Sequence, residues 1–216
     1  MALRELVGKL ELKNVADMSK LKMVYFYVSL SILSATLGLL VGLPFASYIS
    51  LWVFILLFIV EIGTLIYFMY NKNVYTLSLF AFLSGVVLVP SINTLITVGL
   101  TYIIFQALLG TGVIVALLTY YAFTTKNNYI KFSNILFYVL IAIIIVSIIN
   151  IFLGNSVLHL IISIASMVLF SFFIIVDTQE ALYTDIEPLD AACSLYIDIL
   201  NLFVSLLNIL SFFEKD

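Results

Sequence analysis

Apolar residues run through this chain in long uninterrupted blocks, and the polar residues gather mainly in the short gaps between them. A helix that crosses a bilayer needs about 20 mostly apolar residues to traverse roughly 30 Å of hydrocarbon. Seven blocks meet that requirement, at about 23–43, 49–70, 74–90, 100–123, 132–153, 156–176 and 191–213. The pattern predicts an all-α integral membrane protein with seven transmembrane helices. Pro90 is expected to end the third helix early, leaving a second apolar piece at 92–99, and the seventh block is the most interrupted by polar residues. The organisation expected is an N-terminal tail over 1–22, a transmembrane domain over 23–213 and a short tail at 214–216. Leu3, Leu6, Val7 and Leu10 recur at helical spacing, which suits an interfacial helix as well as a solvated tail. The first block is longer than a signal-peptide core, and Leu40-Val41-Gly42-Leu43-Pro44 makes a poor cleavage site.

Composition agrees with this reading and narrows it. The chain is 64% apolar and 10% charged, with a mean hydropathy of +1.26. Soluble domains carry about 25% charged residues, so a water-soluble globule is excluded. A net charge of −3 without a Lys/Arg block argues against a nucleic-acid partner. The single cysteine, Cys193, excludes an internal disulfide, and the single histidine, His159, excludes the common multi-histidine metal sites.

Basic residues set the orientation. Arg4, Lys9, Lys13, Lys20 and Lys22 precede the first block, Lys72 lies between the second and third, and Lys126 and Lys131 lie between the fourth and fifth. The other connections contain no Lys or Arg. With seven spans, eight of the nine basic residues fall on one side and only Lys215 on the other. By the positive-inside rule the N-terminal tail is expected in the cytoplasm and the C-terminus on the opposite side.

The acidic residues are distributed differently. Glu61 and Asp198 lie inside spans, Asp177 closes the sixth at the cytoplasmic face, and no span contains a Lys or Arg. At 1.5 Å per residue, Asp198 is expected roughly 10 Å deep and Glu61 roughly 13 Å deep from that face. An acid in the membrane normally faces protein or water and has a partner. With no cation in the spans, these carboxyls are left to hold protons, share them with each other, or meet a transported cation.

The seventh span carries a second signal. Ser194, Asp198, Asn201, Ser205 and Asn208 fall at spacings of four, three, four and three, on one helical stripe. Two readings fit: interhelical hydrogen-bonding glue, and the lining of a polar path capped by Asp198. Small residues on the first span (Ser31, Ser34, Gly38, Gly42) and Gln106 and Gly110 on the fourth suggest close helix packing, as does Cys193 in its small-residue stretch. His159 is expected at the outer interface, and the aromatic residues in core and interfacial belts.

Several functional classes are disfavoured. A retinal protein needs a lysine in its last span, and none is there. A rhomboid-type protease needs G-x-S-G, whereas Leu83-Ser84-Gly85 follows Phe82. An intramembrane aspartyl protease would have G-x-G-D where Leu195-Tyr196-Ile197-Asp198 stands. No nucleotide-binding glycine loop is present, and no enzymatic activity or resident cofactor is expected.

Three segments together resemble the Bax-inhibitor-1-like family of transmembrane Bax inhibitor motif proteins, in its prokaryotic type. Phe80-Ala81-Phe82-Leu83-Ser84-Gly85 with Pro90 is similar to its third-span signature. Val176-Asp177-Thr178-Gln179 resembles its ending of span six, and Leu195 through Phe203 its last-span run L-Y-L-D-x-x-N-L-F. The resemblance implies six helices around a central seventh, and a pH-sensitive leak for cations, chiefly calcium. It implies that Asp177 and Asp198 form a hydrogen-bonded pair acting as pH sensor and latch. Glu61 would stand near the same pore, and all three would contact calcium transiently as oxygen ligands. Ser194, Asn201, Ser205 and Asn208 are the expected remainder of the path. Two departures stand out: Asn208 occupies a place where many relatives carry Arg, and residues 178–190 form an acidic, short connection. That connection is expected either to gather cations at the cytoplasmic mouth or to be a solvated turn. Short tails without a targeting segment predict a prokaryotic plasma membrane. The rival expectations are a proton-coupled cation transporter using the same acids, and a non-conducting regulator of cell death or membrane stress.

Overall fold

The protein is described by a computed structural model that defines the backbone of residues 2–214 and the side chains of residues 19–214. The apolar stripe at Leu3, Leu6, Val7 and Leu10, and the end of the C-terminal tail, lie outside the described side chains. The helices are α1 (Ala2–Gly42), α2 (Leu51–Asn71), α3 (Val74–Val87), α4 (Val89–Thr97), α5 (Thr101–Thr124), α6 (Ser133–Leu153), α7 (Ser156–Tyr183) and α8 (Pro188–Phe213). Short 3-10 turns at Leu43–Tyr48 and Ile130–Phe132 complete the connections. Among the described residues, seven helical segments are long and apolar enough to cross a membrane: Ser19–Tyr48, Leu51–Asn71, Val74–Thr97, Thr101–Thr124, Ile130–Leu153, Ser156–Tyr183 and Pro188–Phe213. The third of these joins α3 and α4.

Pro90 therefore does not end the third span. It occupies the first turn of α4, where its missing N–H has no helical partner to lose and its fixed φ suits a helix start. Leu88 keeps a helical conformation, and its N–H still reaches the Ser84 carbonyl at 3.1 Å. The apolar piece at 92–99 thus continues the crossing to Thr97.

Local chemistry holds the short connections. Asn73 Oδ1 accepts the N–H groups of Tyr75 and Thr76 at 3.0 Å each, capping α3. Asn155 Oδ1 accepts the Leu158 N–H at 2.9 Å, capping α7, while Gly154 ends α6 in the left-handed region at φ +61°. Lys72 takes the same left-handed region at φ +31° after α2, an uncommon choice for a residue with a Cβ.

The helix α8 is central. It packs directly against α7, α1, α5 and α3, whereas α2 leans on α3 and α6 on α7. The outer helices accordingly show apolar side chains to the surroundings, among them Leu51 and Trp52 on α2 and Ile151 and Phe152 on α6. Such faces suit lipid, because hydrocarbon tolerates exposed apolar groups and penalises exposed polar ones.

Between α1 and α3 the backbones nearly touch. A Cβ added at Gly85 would overlap the Ala35 carbonyl, and one at Gly38 would overlap the Phe82 carbonyl. The small-residue face of the first span thus serves close packing. Gly85→Ala is expected to destabilise the fold by about 1–3 kcal/mol, the usual cost of overpacking. Gly63→Ala, where nothing lies within 4 Å, is expected to be nearly neutral. Thermal unfolding of the two purified variants in detergent compares them directly.

Candidate functional site

The loops bearing Lys72, Lys126 and Lys131 and the connection between α7 and α8 lie at one end of the bundle, called here the basic end. From this end α7 and α8 form a close pair in the core. α7 continues to Tyr183, and α8 starts at Pro188 rather than 191. Asp177 is thus not the terminus of its span, but lies six residues inside it, about 9 Å at helical rise. Asp198 lies ten residues into α8, about 15 Å by the same measure. The expected acidic connection 178–190 shrinks to residues 184–187, because Thr178 through Tyr183 remain helical.

The added helical length brings the two aspartates together. The carboxyls of Asp177 and Asp198 face each other within hydrogen-bonding reach. A hydrogen bond between two carboxyl groups needs one proton between them, so the pair acts as a unit rather than as two independent acids. Asp198 is 5% exposed and its Oδ2 meets no other protein donor. Glu180 is the further charge near Asp177, and its Oε1 accepts the Ser133 hydroxyl at 3.2 Å. Among the described residues no ion pair reaches Asp177, Asp198 or Glu61.

Glu61 is placed elsewhere. Its carboxyl lies against the Ser84 hydroxyl on α3, and the same hydroxyl is in reach of the Tyr196 phenol on α8. Tyr196 also approaches the Ala81 carbonyl at 3.4 Å and packs edge-on against Phe80. Among the described residues, no three of His, Cys, Asp and Glu come close enough to hold a metal ion. Asp177 and Asp198 face each other across α7 and α8, while Glu61 lies near Ser84 on α3 and Tyr196 on α8. Both relay residues sit in the sequence signatures, so their position was visible there, although the direction of their side chains was not.

The polar stripe of α8 divides. Ser194 and Asp198 belong to the basic half. Asn201, Ser205 and Asn208 line a cavity of about 590 Å³ between α6, α7 and α8, entered from the opposite end beside Gly154 and Asn155. Asn201 is three residues beyond Asp198, about 4.5 Å along the helix. His159 lines this cavity as well, so it belongs to a polar recess and not merely to an interface.

At the basic end, one side chain from α1 and one from the α2–α3 connection grip the acidic turn. Lys20 Nζ donates to the Thr184 carbonyl at 2.7 Å. Lys72 Nζ lies 2.6 Å from Asp190 and 3.8 Å from Glu187. Asp190 is thus tied to Lys72, while Asp185 and Glu187 of the turn remain exposed. Its hydrogen bond to Asp190 raises the Lys72 pKa above the ordinary lysine value. The lysine side of this contact is thus present through neutral pH and is lost only as alkaline pH passes that raised value. A further clamp was not foreseen: buried Gln179 accepts the Tyr129 N–H at 2.7 Å and donates to the Asn127 carbonyl at 2.8 Å, fixing the α5–α6 connection.

Fold and site together define a polytopic α-helical membrane protein with a carboxyl pair in its core. The family description "Inhibitor of apoptosis-promoting Bax1" matches residues 18–215, and the chain belongs to that family. It is 38% identical over 206 residues to an uncharacterized protein of Helicobacter pylori, covering 91% of this chain and 87% of the relative. An uncharacterized membrane protein of Vibrio cholerae is 32% identical over 204 residues, covering 91% and 90%. The Escherichia coli protein named modulator of FtsH protease YccA is 32% identical over 149 residues, 68% of each chain.

Replacing Gln179 by Ala would leave a backbone N–H and a carbonyl without their partner. The expected loss is about 1–3 kcal/mol for each group that water fails to reach, with Gln179→Glu retaining the acceptor and losing less. Denaturation midpoints of the two variants, measured side by side, decide this.

Proposed function

We propose that this protein is a pH-sensitive cation leak of a prokaryotic plasma membrane, with calcium as its chief cargo and Asp177 and Asp198 as its latch. The observation that carries the reading is the carboxyl pair itself, set between two core helices with Asp198 buried and Asp177 half-buried, and without a basic partner among the described residues. In this reading the basic end faces the cytoplasm, as the positive-inside rule requires. The cavity lined by Asn201, Ser205 and Asn208 is the vestibule on the other side, and its floor lies about one helical turn from the pair.

With one proton between them, the two carboxyls hold α7 against α8 and close the inner half of the path. When that proton leaves, two like charges stand in contact inside the membrane, which is strongly unfavourable without a cation. The helices then separate, or a cation enters between the carboxylates, and either event opens the route. Glu61, held by Ser84 and tied to α8 through Tyr196, follows the movement of the same helix and lines the path beside it. The chemistry is binding and gating, with protons and cations as partners, and no bond is made or broken.

A second reading draws on the relative named as a modulator of FtsH protease: a regulator of membrane proteolysis that conducts nothing.

Calcium entry into dye-loaded vesicles containing the purified protein tests both. Flux is expected to rise with pH as the pair loses its proton. Asp198→Asn keeps a donor for Asp177 at every pH, and is expected to hold flux low and flat. Asp198→Ala is expected to raise flux and flatten its pH profile. If Asp198→Asn behaves as the wild type at every pH, the latch is wrong. A folded wild type without flux supports the regulatory reading instead.

A further inference from the structure

The cavity between α6, α7 and α8 has an unusual hydrogen-bond balance. The hydroxyls of Ser147, Ser163 and Ser205 each donate to the carbonyl one turn earlier on their own helix, at 2.7, 2.9 and 2.7 Å. The Asn201 side-chain N–H does the same toward Ile197 at 2.8 Å. The three hydroxyls have committed their only proton to the helix backbone, so what they offer the cavity is oxygen lone pairs, and Asn201 offers its Oδ1 beside one remaining N–H. Asn150 adds a fifth oxygen: its residue is 8% exposed, and Oδ1 has no partner in the protein. Asn155 runs the other way, since its oxygen is taken by the Leu158 N–H, while Asn208, His159, Ser156 and Ser166 add polar atoms of either sense. Among the described residues that line the cavity there is no carboxylate, lysine or arginine.

A buried acceptor without a donor is costly, and Asn150 Oδ1 is such an acceptor in a recess where four further side-chain oxygens stand. We infer that this cavity is a cation-binding site, built from the neutral oxygens of Ser147, Asn150, Ser163, Asn201 and Ser205. Its ligand is a small inorganic cation that keeps part of its water shell. Hard cations take hydroxyl, amide and water oxygens of this kind. With no carboxylate in the set, calcium affinity falls at the weak end of the protein range, on the order of 10⁻³ M. Weak binding suits a place that ions enter and leave. Asn208 fits the assignment, because a fixed guanidinium at the same position would place a positive charge at the cavity wall. The inference deepens the conduction reading, since a cation bound here stands about one helical turn from Asp198, but its test needs no conduction.

The experiment is thermal unfolding of the purified full chain in a neutral detergent, with calcium chloride titrated at constant ionic strength against N-methylglucamine chloride, and with sodium chloride as a parallel arm. The wild-type midpoint is expected to rise by roughly 3–5 °C at about ten times the dissociation constant. Asn150→Leu is expected to remove the rise and Ser205→Ala to reduce it. Asn150→Asp, which adds a charge to the same oxygen set, is expected to shift the calcium titration about tenfold lower in concentration. Asp198→Asn is expected to keep the rise, which separates this site from the latch. A sodium effect equal to that of calcium still supports a cation site, one without valence selection. The inference is overturned by the absence of any cation effect beyond the N-methylglucamine control. It is overturned equally by a rise that survives in both Asn150→Leu and Ser205→Ala, or one lost only in Asp198→Asn. Should Asn150→Leu give no unfolding transition, Ser205→Ala and Asn150→Asp decide between these outcomes.

Discussion

One constraint governs this molecule: a polar group inside hydrocarbon has to be satisfied by the protein itself. Most of the chain meets it by presenting apolar side chains to the surroundings, as α2 and α6 do. The core meets it only in part. Asp177 and Asp198 face each other across the α7–α8 contact, Glu61 lies near Ser84, and Gln179 fills its hydrogen bonds with the Asn127–Tyr129 connection. Asp198 Oδ2, Thr178 Oγ1 and Asn150 Oδ1 have no partner in the protein. None of these arrangements contains a cation. The interior is thus left with acids whose only stabilisation is a proton or a neutral dipole, and an entering positive charge meets nothing that repels it.

The consequences collect on α8. Its small residues at Ala191 and Ala192 are buried, and through Leu195, Tyr196 and Leu202 it joins the main apolar core. Toward the opposite end, Phe203 and Leu207 join a second cluster with Ile103 and Ala107 of α5. Its polar residues point into the two places where the bundle is not apolar. A helix gripped on so many sides does not move freely. Near its start Asp190 is tied to Lys72, and Thr184 before it is tied to Lys20. Movement of α8 would therefore be felt in α1, in α2 through the Lys72 connection, and at Glu61 through Tyr196.

Much of this was readable from residues alone, and the parts that were not share a cause. Long apolar blocks define spans because hydrocarbon thickness imposes a length, so the seven crossings follow from block length alone. The spacing of Ser194, Asp198, Asn201, Ser205 and Asn208 defines a helix face for the same geometric reason. What spacing does not contain is which neighbour covers that face and where it stops doing so. Hence the stripe reads as one path, although Asn201, Ser205 and Asn208 line a cavity with α6 and α7 whereas Asp198 faces Asp177 on α7. Pro90 was misread because a proline blocks the helix before it and starts the helix after it with equal ease, and only the Leu88 backbone decides between them. For Glu61 the sequence supplies depth along a span, whereas its lateral place beside Ser84 and Tyr196 is set by packing.

Depth itself carries a further lesson for the latch. Extending α7 by two turns past Asp177 buries that carboxyl about 9 Å from its helix end rather than leaving it at the surface. A surface carboxylate is screened by water and salt and would hold its neighbour weakly. The same pair stands between packed helices, with Thr178 and Gln179 buried beside it, and the helix that continues past Asp177 to Tyr183 sets its carboxyl inside the span and not at its end.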